Sequence, residues 1–146
     1  MNIIEVDFAT PEYDETVRLR YKILRAPLNL DFSAEELAKE YMDIHLAAYD
    51  DAWILRGCLV LTPKSEKVIK MRQVVVDFDK QKQGIGQAMV KKSEVVAQNR
   101  GFESMELNAR DTAVPFYEKL GYHTEGAMFE EVSIAHFKMV KNLTQG

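Results

Sequence analysis

Residues 74–87, VVVDFDKQKQGIGQ, run a β-branched strand into a polar turn and then into two glycines that begin a helix. The first amides of any helix lack an internal partner and point outward. They also form the positive end of the helix dipole, where an anion is favoured. Gly84 and Gly86 put no side chain where a phosphate would have to touch the backbone. Successive amides in such a turn form an anion-binding nest. The segment therefore reads as a phosphate or pyrophosphate site between a strand and a helix.

Three kinds of site use that physics. A Walker-type loop ends in Gly-Lys-Ser or Gly-Lys-Thr, which this segment lacks. The dinucleotide fingerprint places G-x-G-x-x-G just after a parallel strand. Here Met89 stands at the third glycine position, and the polar residues 79–83 separate strand from glycine. Glu106 does fall about 20 residues on, as that fingerprint asks, but the chain lacks a second nucleotide-binding half. The third kind is a coenzyme A pyrophosphate loop. The plainest alternative is a pair of glycines that only cap a helix.

The rest of the chain frames this segment. Strands are expected at residues 2–8, 45–49, 52–62, 68–78, 104–108, 123–128 and 133–140. Pro11 opens a helix to about Leu24, and Ser33 with Glu36 forms a capping box for a helix over 34–42. A long helix over 84–99 carries Ile85, Ala88, Met89, Val95 and Val96 at helical spacing, stopped by Gly101. A short helix over 112–120 is closed by Gly121. This order predicts an α+β, mixed α/β domain with an antiparallel meander, not a doubly wound sheet.

With 146 residues, 47% of them apolar, the chain is expected to form a single domain, residues 1–146, with a real core. A net charge of −4 without a basic patch argues against a nucleic-acid partner. The single cysteine, Cys58, lies in an apolar run and reads as a buried structural thiol; no metal site is expected. The N-terminus has no charged-then-apolar leader and no stretch reaches membrane-spanning length, so a soluble cytoplasmic protein is expected. A monomer or homodimer is the prior for its assembly.

Gln81-Lys82-Gln83-Gly84-Ile85-Gly86 resembles the central motif of the GNAT superfamily of acetyl-CoA-dependent N-acetyltransferases: Gln or Arg, two residues, Gly, one residue, Gly or Ala, at the start of a helix after a strand. Residues 71–77, MRQVVVD, look like that family's fourth strand. Residues 108–122, NARDTAVPFYEKLGY, resemble its later motif, a strand ending in Asn and a short helix carrying Phe-Tyr before Leu-Gly-Tyr. Gln81 and Lys82 stand where Arg and Gly are more frequent.

The resemblance implies a central twisted, mostly antiparallel sheet flanked by helices, and acetyl-CoA as co-substrate. It implies that the backbones of Val74 and Val76 hold the pantetheine arm. The backbones of Gln81, Lys82, Gln83, Gly84, Ile85, Gly86 and Gln87 would hold the pyrophosphate, and Asn108 would contact the pantetheine side. The acceptor, a small-molecule or peptide amine, would sit against residues 21–42 and 129–136. Those segments hold Arg25, Asp31, Glu35, Glu36 and Glu40, which also read as an ordinary exposed helical face.

Tyr117 is the expected general acid. A thiol has a pKa of about 8.5 and a phenol about 10, so a phenol within reach can protonate a leaving thiolate and still be protonated at neutral pH. The bland alternative makes Tyr117 and Phe116 the apolar face of a short helix. An amine with a pKa of about 10.4 must also lose a proton. His45, Glu106, His123, Glu130 and His136 are candidate bases, none singled out by spacing. A non-catalytic acetyl-CoA sensor is the rival function.

Overall fold

The computed structural model describes residues 1–81 and 83–144. The chain gathers into two compact units. One comprises Met1–Thr62 with Gln73–Ser93, the other Pro63–Arg72 with the chain from Glu94 onward.

In the first unit, β1 (Asn2–Val6), β2 (Ile44–Tyr49) and β3 (Leu55–Pro63) pair in succession as an antiparallel meander. Strand β2 is buried along its whole length, which explains its apolar sequence. Residues 52–54, expected as strand, form a turn instead. The Asp50 carboxylate accepts from the amides of Ala52 (2.9 Å) and Ile54 (3.0 Å) and pairs with Arg56 at 2.8 Å. Such side-chain capping competes with a ladder.

Helix α1 (Pro11–Arg20) opens with Thr10 as N-cap, its hydroxyl accepting from the Tyr13 amide, and Pro11 in the first turn. It continues as a π-turn over Tyr21–Arg25 and a 3₁₀ turn over Ala26–Leu28. Helix α2 (Ala34–Ala38) is capped by Ser33, as its capping box predicts, and runs into a 3₁₀ turn, Lys39–Met42. The unit's core packs Val6, Leu19, Ala47, Tyr49, Leu55, Cys58 and Val75. Cys58 is the expected buried thiol, and burial pushes it up to about 12.

Strand β4 (Val68–Val76) begins in the second unit and ends in the first. In the second unit, Val68–Met71 pairs in parallel with residues 104–107 of β5 (Ser104–Arg110). β5 pairs antiparallel along its length with β8 (Ile134–Asn142). β8 also takes β6 (His123–Thr124) and β7 (Phe129–Glu131), both antiparallel. Among the described residues, a parallel ladder beside antiparallel ones, with helices between strands, is the mixed α/β pattern the sequence predicts.

The expected strand 123–128 shrinks to two residues, and β7 has no counterpart among the expected strands. β7 joins β8 through Val132 and Ser133, both at positive φ (53° and 61°). That is the twist of a tight two-residue hairpin turn, made without the usual Asn-Gly signal.

Helix α3 (Ile85–Asn99) buries Ile85, Met89, Val90, Ser93 and Ala97, an i, i+4 stripe with Val90 beside it. Val95, expected to face inward, is half-exposed because it lies off that stripe. Gly101 ends the helix at φ +87°. Its amide donates to the Gln98 carbonyl at 3.0 Å, and the Phe102 amide donates to the Ala97 carbonyl at 3.1 Å. Helix α4 (Val114–Lys119) ends the same way at Gly121.

A candidate coenzyme site

The expected loop stands in the first unit. Strand β4 ends at Val76, and the Asp77 amide donates to the Arg56 carbonyl at 2.8 Å. The Asp77 carboxylate binds Lys22 at 2.8 Å, and that hydrogen bond holds it below the usual carboxylate range. A 3₁₀ turn over Phe78–Lys80 follows. The Gln81 side-chain amide then donates back to the Val76 carbonyl at 3.1 Å, closing the turn onto the strand. Lys82 lies outside the described residues.

Gly84 has φ +82°, and a Cβ placed there would meet nothing within 4 Å among the described residues. The Ala88 amide donates to the Gly84 carbonyl at 3.0 Å, so Gly84 is the N-cap. The amides of Ile85, Gly86 and Gln87 are then first-turn donors without a helical acceptor. Gln83 and Gln87 are exposed, while Ile85 is 5% exposed and anchors the helix start in the core. An open approach over a left-handed glycine, at the positive end of a helix of 15 residues, fits a pyrophosphate. Val75 points into the core, leaving Val74 and Val76, both half-buried, on the other face of β4.

The same unit holds a polar network of which the sequence carries no local sign. Arg20, the last residue of α1, is fully buried. Its Nη1 and Nη2 donate to the two Glu40 carboxylate oxygens at 2.9 and 2.6 Å. Its Nε donates to Gln73 Oε1 in β4 at 2.7 Å. The Tyr13 hydroxyl donates to Glu40 Oε1 at 2.8 Å. Phe32 lies under the Arg20 guanidinium at 4.9 Å and the Arg25 guanidinium at 4.6 Å.

Glu40 is thus not part of an exposed acidic face. Burial alone would raise its carboxyl, but the hydrogen bonds and charge of Arg20, with the Tyr13 hydroxyl, hold it below the usual range. Arg20 sits where a helix dipole favours a cation, and that local reading concealed a partner 20 residues away.

Asn108 and Tyr117 stand in the second unit. Asn108 is half-buried on β5, opposite Lys138 of β8. Tyr117 is 8% exposed, with its ring edge-on to Phe116 (4.9 Å) and Tyr122 (5.8 Å). Burial alone pushes its phenol up to about 12.

The ground under α4 is firm. Tyr122 donates to Glu94 at 2.8 Å, and Lys141 donates to Glu94 at 2.9 Å and to the Leu120 carbonyl at 2.8 Å. Burial first, and then the Glu94 carboxylate, hold the Tyr122 phenol far above its ordinary range.

The candidate bases separate by environment. His45 is 2% exposed, edge-on to the Tyr13 ring at 4.9 Å, with Phe8 beyond at 6.4 Å. Its Nε2 lies 3.0 Å from the Glu40 carbonyl oxygen, an acceptor, which places the hydrogen on Nε2. Its Nδ1 is buried without a partner among the described residues. His136 is stacked on Phe129, with Nδ1 at 2.7 Å from the Ile134 carbonyl. Glu106 is paired with Lys138 at 3.5 Å. His123 and Glu130 are exposed. Among the described residues no cluster of three or more His, Cys, Asp or Glu could hold a metal ion. No helix there is long and apolar enough to cross a membrane.

Known proteins resemble this chain in sequence and in fold. The protein YyaT of Bacillus subtilis (strain 168) is 29% identical over 76 residues, 52% of this chain and 51% of the relative. The chain therefore matches about half the length of that curated relative. An aminoglycoside 6'-acetyltransferase type Ii is 26% identical, with a TM-score of 0.81 over 98% of this chain and 97% of that one. An aminoglycoside 6'-N-acetyltransferase solved with coenzyme A is 22% identical, with a TM-score of 0.82 over the same shares. The acetyltransferase (GNAT) domain family matches residues 18–143. With its strand, open glycine and helix start in place, this chain belongs to the GNAT family of N-acetyltransferase domains.

Proposed function

We propose that the protein transfers the acetyl group of acetyl-CoA to a primary amine by direct attack of the amine on the thioester, acting as a single domain. The observation that carries this reading is Gly84, left-handed and open above, at the start of α3 directly after the β4 turn.

Coenzyme A supplies an activated acyl carbon and a thiolate leaving group. The chain's own residues would do the rest. The backbones of Val74 and Val76 hold the pantetheine arm, and Asn108 adds a contact to it. The amides of Gln81, Gln83, Gly84, Ile85, Gly86 and Gln87 would hold the pyrophosphate. As the C–N bond forms and the C–S bond breaks, the Tyr117 hydroxyl would give a proton to sulfur, and the proton that the nitrogen sheds in becoming an amide would return through water to the Tyr117 oxygen.

A phenol at about 12 stays protonated through the working range. It is a weaker acid than a free phenol, so its proton would move only as negative charge builds on the departing sulfur. The acceptor amine is delivered neutral, and positioning supplies much of the rate.

Calorimetric titration with acetyl-CoA, with NAD as control, tests the loop. Binding should weaken at least tenfold in Gly84→Val, where a β-branched residue would have to hold positive φ under the phosphates. An amine screen follows. Aminoglycosides, named for two of the structural neighbours, head the panel because they are small polyamines. Turnover lost in Tyr117→Phe with binding kept supports the enzyme. Binding without turnover on any amine would support a sensor instead.

A further inference from the structure

We propose that Arg20 and Gln73 are positioning residues for the coenzyme strand. The buried guanidinium, locked by Glu40, fixes the left-handed backbone of Gln73 and so sets how Val74 and Val76 present their backbone groups. This rests on the reading that those two residues carry the pantetheine arm.

Gln73 has φ +52° inside β4. Glycine, asparagine and aspartate visit that geometry routinely, whereas a glutamine there has to be held by its surroundings. Arg20 Nε holds it, donating to Gln73 Oε1 at 2.7 Å. The guanidinium has no freedom to move. Its other two nitrogens are committed to Glu40, a ring lies under it, and it has no exposed surface. Glu40 in turn is gripped by Tyr13.

Beyond Gln73, the three valines are held again at their far end, where the Gln81 amide donates to the Val76 carbonyl. Gln73 and Gln81 thus bracket the segment that would bind the arm. A buried ion pair often adds little net stability over an apolar replacement. What this one supplies is a rigid donor aimed at one strand residue.

The test compares acetyl-CoA with adenosine 3′,5′-bisphosphate, which keeps a phosphate end and lacks the pantetheine arm. Gln73→Gly accepts the positive φ and has no side chain. Gln73→Asn tolerates that φ and is one methylene too short to reach Arg20. Gln73→Glu keeps an acceptor at the same reach.

The expected result is a roughly tenfold loss of acetyl-CoA affinity, with a matching rise in KM, in the Gly and Asn variants. That is the size of one charge-assisted hydrogen bond no longer fixing a binding strand. Bisphosphate affinity should not change, and Gln73→Glu should behave as wild type. Either short variant suffices if the other fails to fold. Wild-type acetyl-CoA affinity in both, or equal weakening toward both ligands, overturns the proposal. If the wild type itself binds acetyl-CoA no more tightly than the bisphosphate, the pantetheine reading falls, and this inference falls with it.

Discussion

Arg20 Nη2 lies 2.6 Å from Glu40 Oε2, with both side chains nearly or wholly sealed from solvent. Removing one partner strands the other charge in the core. Arg20→Met or Glu40→Leu alone should therefore cost about 3–5 kcal/mol of stability. The double variant Arg20→Met/Glu40→Leu should recover most of that loss, because no charge is left unpaired. Urea denaturation of the three variants measures the coupling. The pair also sets an acid limit. Glu40 has its carboxyl held below the ordinary value, so its contribution is present above that value and is lost as pH falls through the lower, folded one.

That network marks where sequence legibility ends. Features written in adjacent residues are readable: the Ser33 cap, the stops at Gly101 and Gly121, and the strand, turn and glycine run of residues 74–87. Each depends on chemistry within a few positions. Arg20, Glu40 and Gln73 meet across 20 and 53 residues, and nothing local distinguishes a buried arginine from one that serves a helix dipole. β7 is hidden for a related reason: its turn uses Val132 and Ser133, neither of which signals positive φ. The proposed coenzyme loop is legible because phosphate chemistry demands glycine. The hold on Gln73 in the strand before it is not, because Arg20, 53 residues away, provides it.

Gly57 shows how closely β3 lies against β4. A Cβ there would sit 3.0 Å from both Met89 Cε and the Val75 carbonyl oxygen. Methionine can yield, but the carbonyl belongs to the backbone of β4. Gly57→Ala should destabilise the fold by about 1–3 kcal/mol. It should also weaken acetyl-CoA binding, since the push falls between Val74 and Val76. Calorimetry and thermal melting separate the two effects. Unchanged stability would show that β4 moves more easily than this packing implies.

The β7–β8 hairpin stores strain that substitution can release. Val132 is β-branched, half-exposed and held at φ +53°, and Ser133 follows at +61°. Left-handed backbone costs such residues about 1–2 kcal/mol. Val132→Asn with Ser133→Gly places the preferred pair in the turn and should raise stability by about 1–2 kcal/mol. A higher thermal midpoint is expected, of about 2–8 °C for each kcal/mol in a chain of this size class. No change would mean that the turn relaxes in solution to another geometry.

Tyr117 and Tyr122 face each other edge-on at 5.8 Å but should respond oppositely to loss of their hydroxyls. Tyr122→Phe removes a 2.8 Å bond to the Glu94 carboxylate and should cost about 1.5–3 kcal/mol. Tyr117 has no such bond among the described residues, and burial is the whole cause of its raised pKa. Tyr117→Phe should therefore change stability by less than about 0.5 kcal/mol while abolishing most of kcat. Alkali gives a second reading. Both phenols, with Tyr13 and Tyr49, are raised above the ordinary value of 10 on folding. Their contribution is complete below pH 10 and drains away as pH climbs toward and past 12, because the unfolded chain loses these protons first. Denaturation midpoints across that range should fall steeply in the wild type and less steeply in each Phe variant. A Tyr117→Phe protein with full kcat would return Tyr117 to the role of a packed aromatic and leave proton delivery to water.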